Sequence, residues 1–424
     1  MSRWVPVVGV VILLVVGCGP GPRTGGGPST AAASGSPSIS PRGPASSPRL
    51  ESPSPVALLQ PCGALPGASP ASTQALVLGR LAGSTSWVVR DVTDIAIPVT
   101  VGSLGDRWPW ADKSLGGALD AHLASPSSLV WTDVTAPSNL VDSAADGSGM
   151  KTLVSGASGN AIVSFAWSPA NGDWTYLVNT PTALEWHLVS AGADRLLATT
   201  AHIPAVGGTP RITPIMVTFS GDRRFLAMTN YIFAGNSGSG DTAKFQIRKS
   251  DGGLIATGAT IVPNSSVVSD LLWVGSSLYF RDDNGIEVWS EAGACSALPA
   301  VQWIRPKLSP DGKQIVFYTQ DSNGLEHVFL YDLSTKSVKQ VSPAGGAEAW
   351  FLGSRYVWFL EQRLCGATES CGVSSATFTG KAYIVDLQTG ISSQSRIVRI
   401  ADTWPRPGQP NFDNIWWMDA AAYQ

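Results

Sequence analysis

From about residue 74 onward, hydrophobic positions fall in short alternating runs broken by Gly, Asp, Asn and Ser. Alternation over four to eight residues is the pattern of half-buried strands. Residues 307–342, KLSPDGKQIVFYTQDSNGLEHVFLYDLSTKSVKQVS, state it most fully. Ser309–Gly312 reads as a type I-like turn, in which Pro presets φ, Asp bonds its own backbone and Gly takes the positive φ. KQIVFYT, HVFLYDL and VKQVS then read as three strands, with WIRPKL ahead of the turn as a fourth. No amphipathic helical period interrupts the series.

The same order recurs. Turns are expected at Ser125-Pro126, Ser168-Pro169, Ser220-Gly221, Gly275 and Gly353, each between two apolar runs, at intervals of about 46 residues. Four short strands cannot bury both their faces alone, and packing such units around an axis solves the problem. The six anchors account for six blades. TQALVLG, TSWVVRDVT and AIPVTVG supply three more strands, and DNIWWMDAAAY near the C-terminus a strand without a blade. The expected fold is therefore all-β: a single β-propeller of seven blades, with six or eight as the alternatives. A composite blade built from both termini would close it, with the strand near Ile415 to Met418 innermost.

The unit LSPDGKQIVFYTQDSNGLEHVFLYDLSTKSVKQVS resembles the propeller repeat of the TolB family, periplasmic components of the Tol-Pal system, shared with the propeller domains of prolyl-oligopeptidase-type enzymes. KAYIVDLQTG (Lys381 to Gly390) echoes its later half, whereas Gly275 and Gly353 lack the Pro-Asp-Gly. In that family the turn joins the innermost strand to the second. The resemblance implies a TolB-like (WD-repeat-like) propeller and no particular activity.

The N-terminal region follows other rules. MSRWVPVVGVVILLVVGC carries one cation, Arg3, then an apolar run from Val5 to Val16 that is short for a membrane span but suits a secretory signal. Val15-Val16-Gly17-Cys18 resembles a bacterial lipobox, in which the Cys thiol is diacylated and becomes the new N-terminus; an ordinary signal with an incidental Cys18 is the alternative. Residues 19–61 are rich in Pro, Ser and Gly and nearly devoid of large apolar groups before Leu50, so they cannot offset their ordering entropy and read as a disordered tether. The expected organisation is a lipoprotein signal over 1–18, a linker over 19–61 and a propeller domain over 62–424. Such a protein would be lipid-anchored, facing the extracytoplasmic side at the cell surface or in the periplasm.

Charge narrows the partners. Lys and Arg total 28 against 31 Asp and Glu, a net charge of -3, which leaves no basic footprint for nucleic acid. Beyond Cys18, four cysteines remain, an even number that in an exported chain suggests disulfides. Cys365 and Cys371 sit in LCGATESCG, a natural small closure, which leaves Cys62 to Cys295. Metal ligation is the rival reading, but the spacing fits no common zinc pattern and the four His are scattered. No metal and no cofactor are expected.

Propeller geometry points to one face, where inner strands begin and second strands turn into third. Five residues before each anchor stand Asp120, Val163, Ile215, Asp270, Ile304 and Glu348. Asp120, Asp270 and Glu348 would thus ring one mouth of the channel and hold a cation or the polar end of a ligand, or simply be solvated. Trp108 and Trp110 in DRWPW, Trp303 in QWIRP and Trp404 in DTWPRP would either offer stacking platforms or pack over the mouth. Two long loops, Asn230 to Thr242 and Glu361 to Thr379, are expected on the same face. No Gly-x-Ser-x-Gly elbow and no defined acid and nucleophile pair occurs, so no catalytic residue is assigned. The sequence therefore reads as a membrane-anchored binding or scaffolding module for a protein, peptide or glycan. A propeller enzyme, hydrolase or lyase, acting on envelope or extracellular polysaccharide is the alternative.

Overall fold

The computed structural model describes residues 59–65, 67, 76–80, 87–95, 97, 99–105, 121–125, 128–133, 139–144, 148–156, 160–168, 173–201, 211–212, 216–233, 242–261, 268–369, 375–395, 397–398 and 413–416. Its contacts divide the chain after Pro55, and all that follows concerns the unit Val56–Gln424.

Seven sheets make seven blades. Blade 1 holds β1 (Leu76–Arg80), β2 (Trp87–Asp91) and β3 (Val99–Gly105). Blade 2 holds β4 (Ala121–Ser125), β5 (Ser128–Asp133), β6 (Asn139–Ala144) and β7 (Lys151–Val154). Blade 3 holds β8 (Ala161–Ser168), β9 (Asp173–Asn179), β10 (Ala183–Ser190) and β11 (Ala193–Ala201). In blade 4, β12 (Arg211–Ile212) and β13 (Met216–Phe219) both pair with β14 (Phe225–Phe233), followed by β15 (Thr242–Lys249) and β16 (Leu254–Thr257). A single helical turn, α1 (Gly258–Ile261), follows. Blade 5 holds β17 (Ser269–Val274), β18 (Ser277–Arg281), β19 (Gly285–Ser290) and β20 (Gly293–Pro299). Blade 6 holds β21 (Ile304–Leu308), β22 (Gln314–Gln320), β23 (Glu326–Asp332) and β24 (Val338–Gln340). Blade 7 holds β25 (Gly345–Leu352), β26 (Tyr356–Leu364), β27 (Ala376–Asp386) and β28 (Ser392–Ser395).

Successive first strands touch: β8 with β13, β13 with β17, β17 with β21 and β21 with β25. They therefore line a common axis, and the fold is a seven-bladed propeller. Two late strands complete blade 1, β29 (Ile397–Val398) and β30 (Asp413–Trp416). β30 pairs with β1 on the side away from β2, through Leu78 with Trp416 and Gly79 with Ile415. The composite closure is thus present, but its strand lies two residues earlier than the sequence suggested and is not innermost, since β29 pairs beyond it. The parallel β29–β30 pairing was not foreseen.

All six anchors fall between the first and second strands of a blade. In SPDG, the Ser309 hydroxyl donates to Asp311 Oδ1 (2.6 Å) and accepts the Gln314 N–H (2.9 Å), while Gly312 takes φ 71°. The SGDRR turn is its copy: the Ser220 hydroxyl donates to Asp222 Oδ1 (2.6 Å) and accepts the Phe225 N–H (3.0 Å), with Arg223 at φ 63°. A buried serine and a following aspartate close both turns, without need of the proline.

The core is a series of layers between blades. One joins Phe225 and Phe245 of blade 4 to Trp273, Phe280 and Trp289 of blade 5. The next joins Tyr279 and Val288 to Ile315, Phe317 and Tyr331 of blade 6, and a third joins Tyr318 and Val328 to Phe351 and Phe359 of blade 7. Trp186, Trp303 and Trp358 are among the largest wholly buried side chains, so part of the tryptophan content serves these layers.

Candidate functional site at the bulged inner strands

Counting back from the turn anchors leads to a backbone irregularity. The β17–β18 register shifts between Ser269 and Leu272, β21–β22 between Ile304 and Lys307, and β25–β26 between Ala347 and Trp350. β8 shifts at Val163 in the same way. Each is a β-bulge, an extra residue left out of the ladder. In blades 5, 6 and 7 that residue lies in the left-handed region: Asp270 at φ 53°, Arg305 at 46° and Glu348 at 54°. Side chains there cost about 1 kcal/mol or more each, and three at one register in consecutive blades mark a constrained place.

Their side chains meet from blade to blade. Asp270 Oδ1 accepts the Arg305 N–H that the bulge frees (3.1 Å), and its Oδ2 pairs with Arg281 (3.1 Å). The Arg305 guanidinium donates to Glu348 Oε1. Both carboxylates are largely covered, at 14% and 12% side-chain exposure, whereas the Arg305 side chain is 56% exposed. Beneath them lies Tyr318, whose phenol pKa is pushed up by burial and then by Glu348. Glu326, at the start of β23, has its pKa raised by burial and, further down, by Glu348. Gln362 holds it on both sides, donating to its carboxylate (2.6 Å) and accepting its N–H (3.2 Å). The result is an exposed guanidinium framed by two largely covered acids, with a neutral phenol and a half-buried carboxyl beside it. It can give and accept hydrogen bonds at the end of the channel where strands β17, β21 and β25 begin.

Of the residues singled out in the sequence, Asp270 and Glu348 are brought together. Asp120, Trp108, Trp110 and Trp404 lie outside the described residues, as do Cys18 and Cys371. Trp303 requires a correction: it is wholly buried between blades 5 and 6, against Tyr279 and Phe317, and is no surface platform. The long loop expected over Glu361 to Thr379 is also shorter, because β26 runs to Leu364 and β27 starts at Ala376. Arg305 and Glu326 were missed. Five residues before Ser309 is Ile304, one short of the bulge, and only the bulge itself distinguishes Arg305. Cys62 is bonded to Cys295. Cys365 is also disulfide-bonded. Among the described residues no group of three or more His, Cys, Asp or Glu side chains is placed to hold a metal ion.

One more acid is buried, in the blade wall. Glu287 on β19 faces the layer between blades 4 and 5, only 2% exposed, opposite Phe280 and Ser296. Its Oε2 has no hydrogen-bond partner. Burial, then the nearby Asp282, push its pKa up to about 7 against a hydrogen bond from Ser296.

No family model matches the chain, and no curated protein matches it. Among solved structures it is similar to TolB from Acinetobacter baumannii, at 16% identity and TM-score 0.38 over 63% of this chain; it spans 62% of the TolB chain. It is also similar to an oligogalacturonate lyase in complex with manganese, at 9% identity and TM-score 0.47 over 77% of this chain and 85% of the lyase. A prolyl endopeptidase matches at 13% identity and TM-score 0.47, over 76% of this chain and 49% of that one. The likeness is one of fold, and the architecture itself rests on the sheet order and the contacts between inner strands.

Proposed function

We propose that this propeller is a binding or scaffolding module on the extracytoplasmic side of a membrane, held there by lipid on Cys18. It meets a protein, peptide or glycan partner at the channel end formed by Asp270, Arg305 and Glu348. The observation that supports recognition at this face is the set of three left-handed bulge residues at one register; the lipid anchor rests on the residues around Cys18. A fold that needed only blade packing has no use for that backbone cost. The division at 18 belongs to the same proposal; the linker expected over 19–61 ends sooner, because Leu59, Gln60 and Pro61 already sit on the propeller.

Two measurements test it. Replacing Cys18 by Ala should abolish incorporation of labelled palmitate and move the protein from the membrane to the soluble fraction; unchanged fractionation contradicts the anchor. Arg305→Glu places like charges beside Asp270 and Glu348, and should lose any partner recovered with the wild type while an outer-rim variant, Leu254→Glu, retains it. Equal recovery by both contradicts the assignment of this face.

A second reading has one observation in its favour. A carboxyl with a raised pKa, Glu326, close to an ion-paired one, Glu348, is a pairing that acid–base chemistry on a polysaccharide uses. Glu326→Gln would abolish turnover in such an enzyme and leave partner recovery intact in a scaffold.

A further inference from the structure

The residues ahead of β1 form a strap on the outside of the propeller. Leu59 packs on the layer between blades 4 and 5, and Leu65 on the layer between blades 5 and 6. Between them Pro61 pairs in parallel with Ser296 on β20. The Cys62 N–H donates to Ser296 O (2.9 Å), and the Ser296 N–H donates to Gln60 O (2.8 Å). Lys336, in the turn between β23 and β24, donates its ammonium to Cys62 O (2.6 Å) and Gly63 O (3.0 Å). The bond from Cys62 to Cys295 then makes the attachment covalent. The strap is therefore fixed to three blades before the chain reaches β1.

That position has a mechanical consequence. β1 is half of the seam that closes the ring, and β1 and β30 share only two paired positions, against seven between β8 and β9. Any pull on the chain from its N-terminal side would act on β1 directly if nothing intercepted it. The hydrogen bonds and two leucines of the strap would yield one after another under such a pull. A covalent bond to β20 does not. β20 is also the outer strand of a blade well away from the seam, bonded along its length to β19.

We propose that the strap is a strain-relief device: tension arriving along the chain before Leu59 passes through Cys62–Cys295 into blade 5 and does not reach the β1–β30 seam. The device goes beyond the binding role and does not need lipid on Cys18; a membrane anchor would supply the tension that it diverts.

The test is a single-molecule pulling experiment on the full chain, with Cys18→Ala in every arm so that lipidation plays no part. One handle is at the N-terminus, and the other is inserted in the exposed turn at Gln388–Thr389 of blade 7. Wild-type cysteines are compared with Cys62→Ser/Cys295→Ser. The variant should show a reversible extra step at forces below blade unfolding, as the strap and β1 leave the seam. Releasing Gly63 through Arg80 adds about 60 Å at ~3.5 Å per residue. The chain with its bond intact should show no such step. The same step in both chains overturns the proposal, because tension then reaches the seam past the bond. Its absence from both does so too, because the seam is then no weak point. Should the variant fail to fold, adding dithiothreitol to mounted molecules that carry Cys365→Ser gives the same comparison, because Cys365 is also disulfide-bonded and its reduction must not enter the trace.

Discussion

Replacing the buried, titrating carboxyl of Glu287 should change how stability depends on pH, with a size that follows from its surroundings. The unfolded carboxyl titrates near 4.5 and the folded one near 7. Between those values the native state keeps a proton that the unfolded state has released, so native stability falls as pH rises through the window. The difference of roughly 2.5 units, at about 1.4 kcal/mol each, sets the full loss at about 3 kcal/mol above pH 7. Below about pH 4.5 both states are protonated and the loss disappears. Glu287→Gln keeps the shape and removes the titration, so its stability relative to wild type should rise by about 3 kcal/mol between pH 4.5 and pH 8. Urea unfolding followed by tryptophan fluorescence at several pH values measures this. Comparing the two proteins at each pH cancels the cost of fitting the amide itself. A stability difference that stays flat across the range would refute the reasoning, since the Glu287 carboxyl would then titrate alike in both states.

Three further outcomes are expected. Deleting residues 411–424 removes β30 and leaves an unpaired edge on β1, so the product should aggregate; a soluble product that melts like the full chain contradicts the closure. Glu348→Gly should be more stable than Glu348→Ala by up to about 1 kcal/mol in urea unfolding, because only Gly accepts φ 54° without strain, and equal stabilities would place the residue outside that region. Ser309→Ala should cost about 1–3 kcal/mol, because the buried hydroxyl that accepts the Gln314 N–H and donates to Asp311 is lost.

The architecture was legible because its unit is local. Alternating strands and a turn every few dozen residues are written in the chain, and the orphan strands at either end told of the closure. Chemically different turns were read through their rhythm: Ser220 and Asp222 rebuild the Ser309–Asp311 geometry without its proline. The site was only half legible. The count back from Gly275 and Gly353 reached the bulge residues Asp270 and Glu348, but the bulge stands four residues, not five, before the Ser309 turn, because a serine turn and a glycine turn are entered one residue apart. Arg305 was passed over for Ile304 for that reason. Trp303 was left between two readings, platform or packing, because its neighbours Gln302 and Ile304 decide neither. Its burial depends on Tyr279 and Phe317, which only the packing of blade 5 against blade 6 brings to it.

The most direct test of the central claim is photo-crosslinking in intact cells, with a photoreactive amino acid at Arg305 and, in a separate chain, at Leu254 on the outer rim. If the channel end of blades 5 to 7 is where the partner sits, the probe at 305 gives a discrete adduct and the probe at 254 gives none. An adduct at 254 with none at 305 would contradict the account and move recognition to the rim.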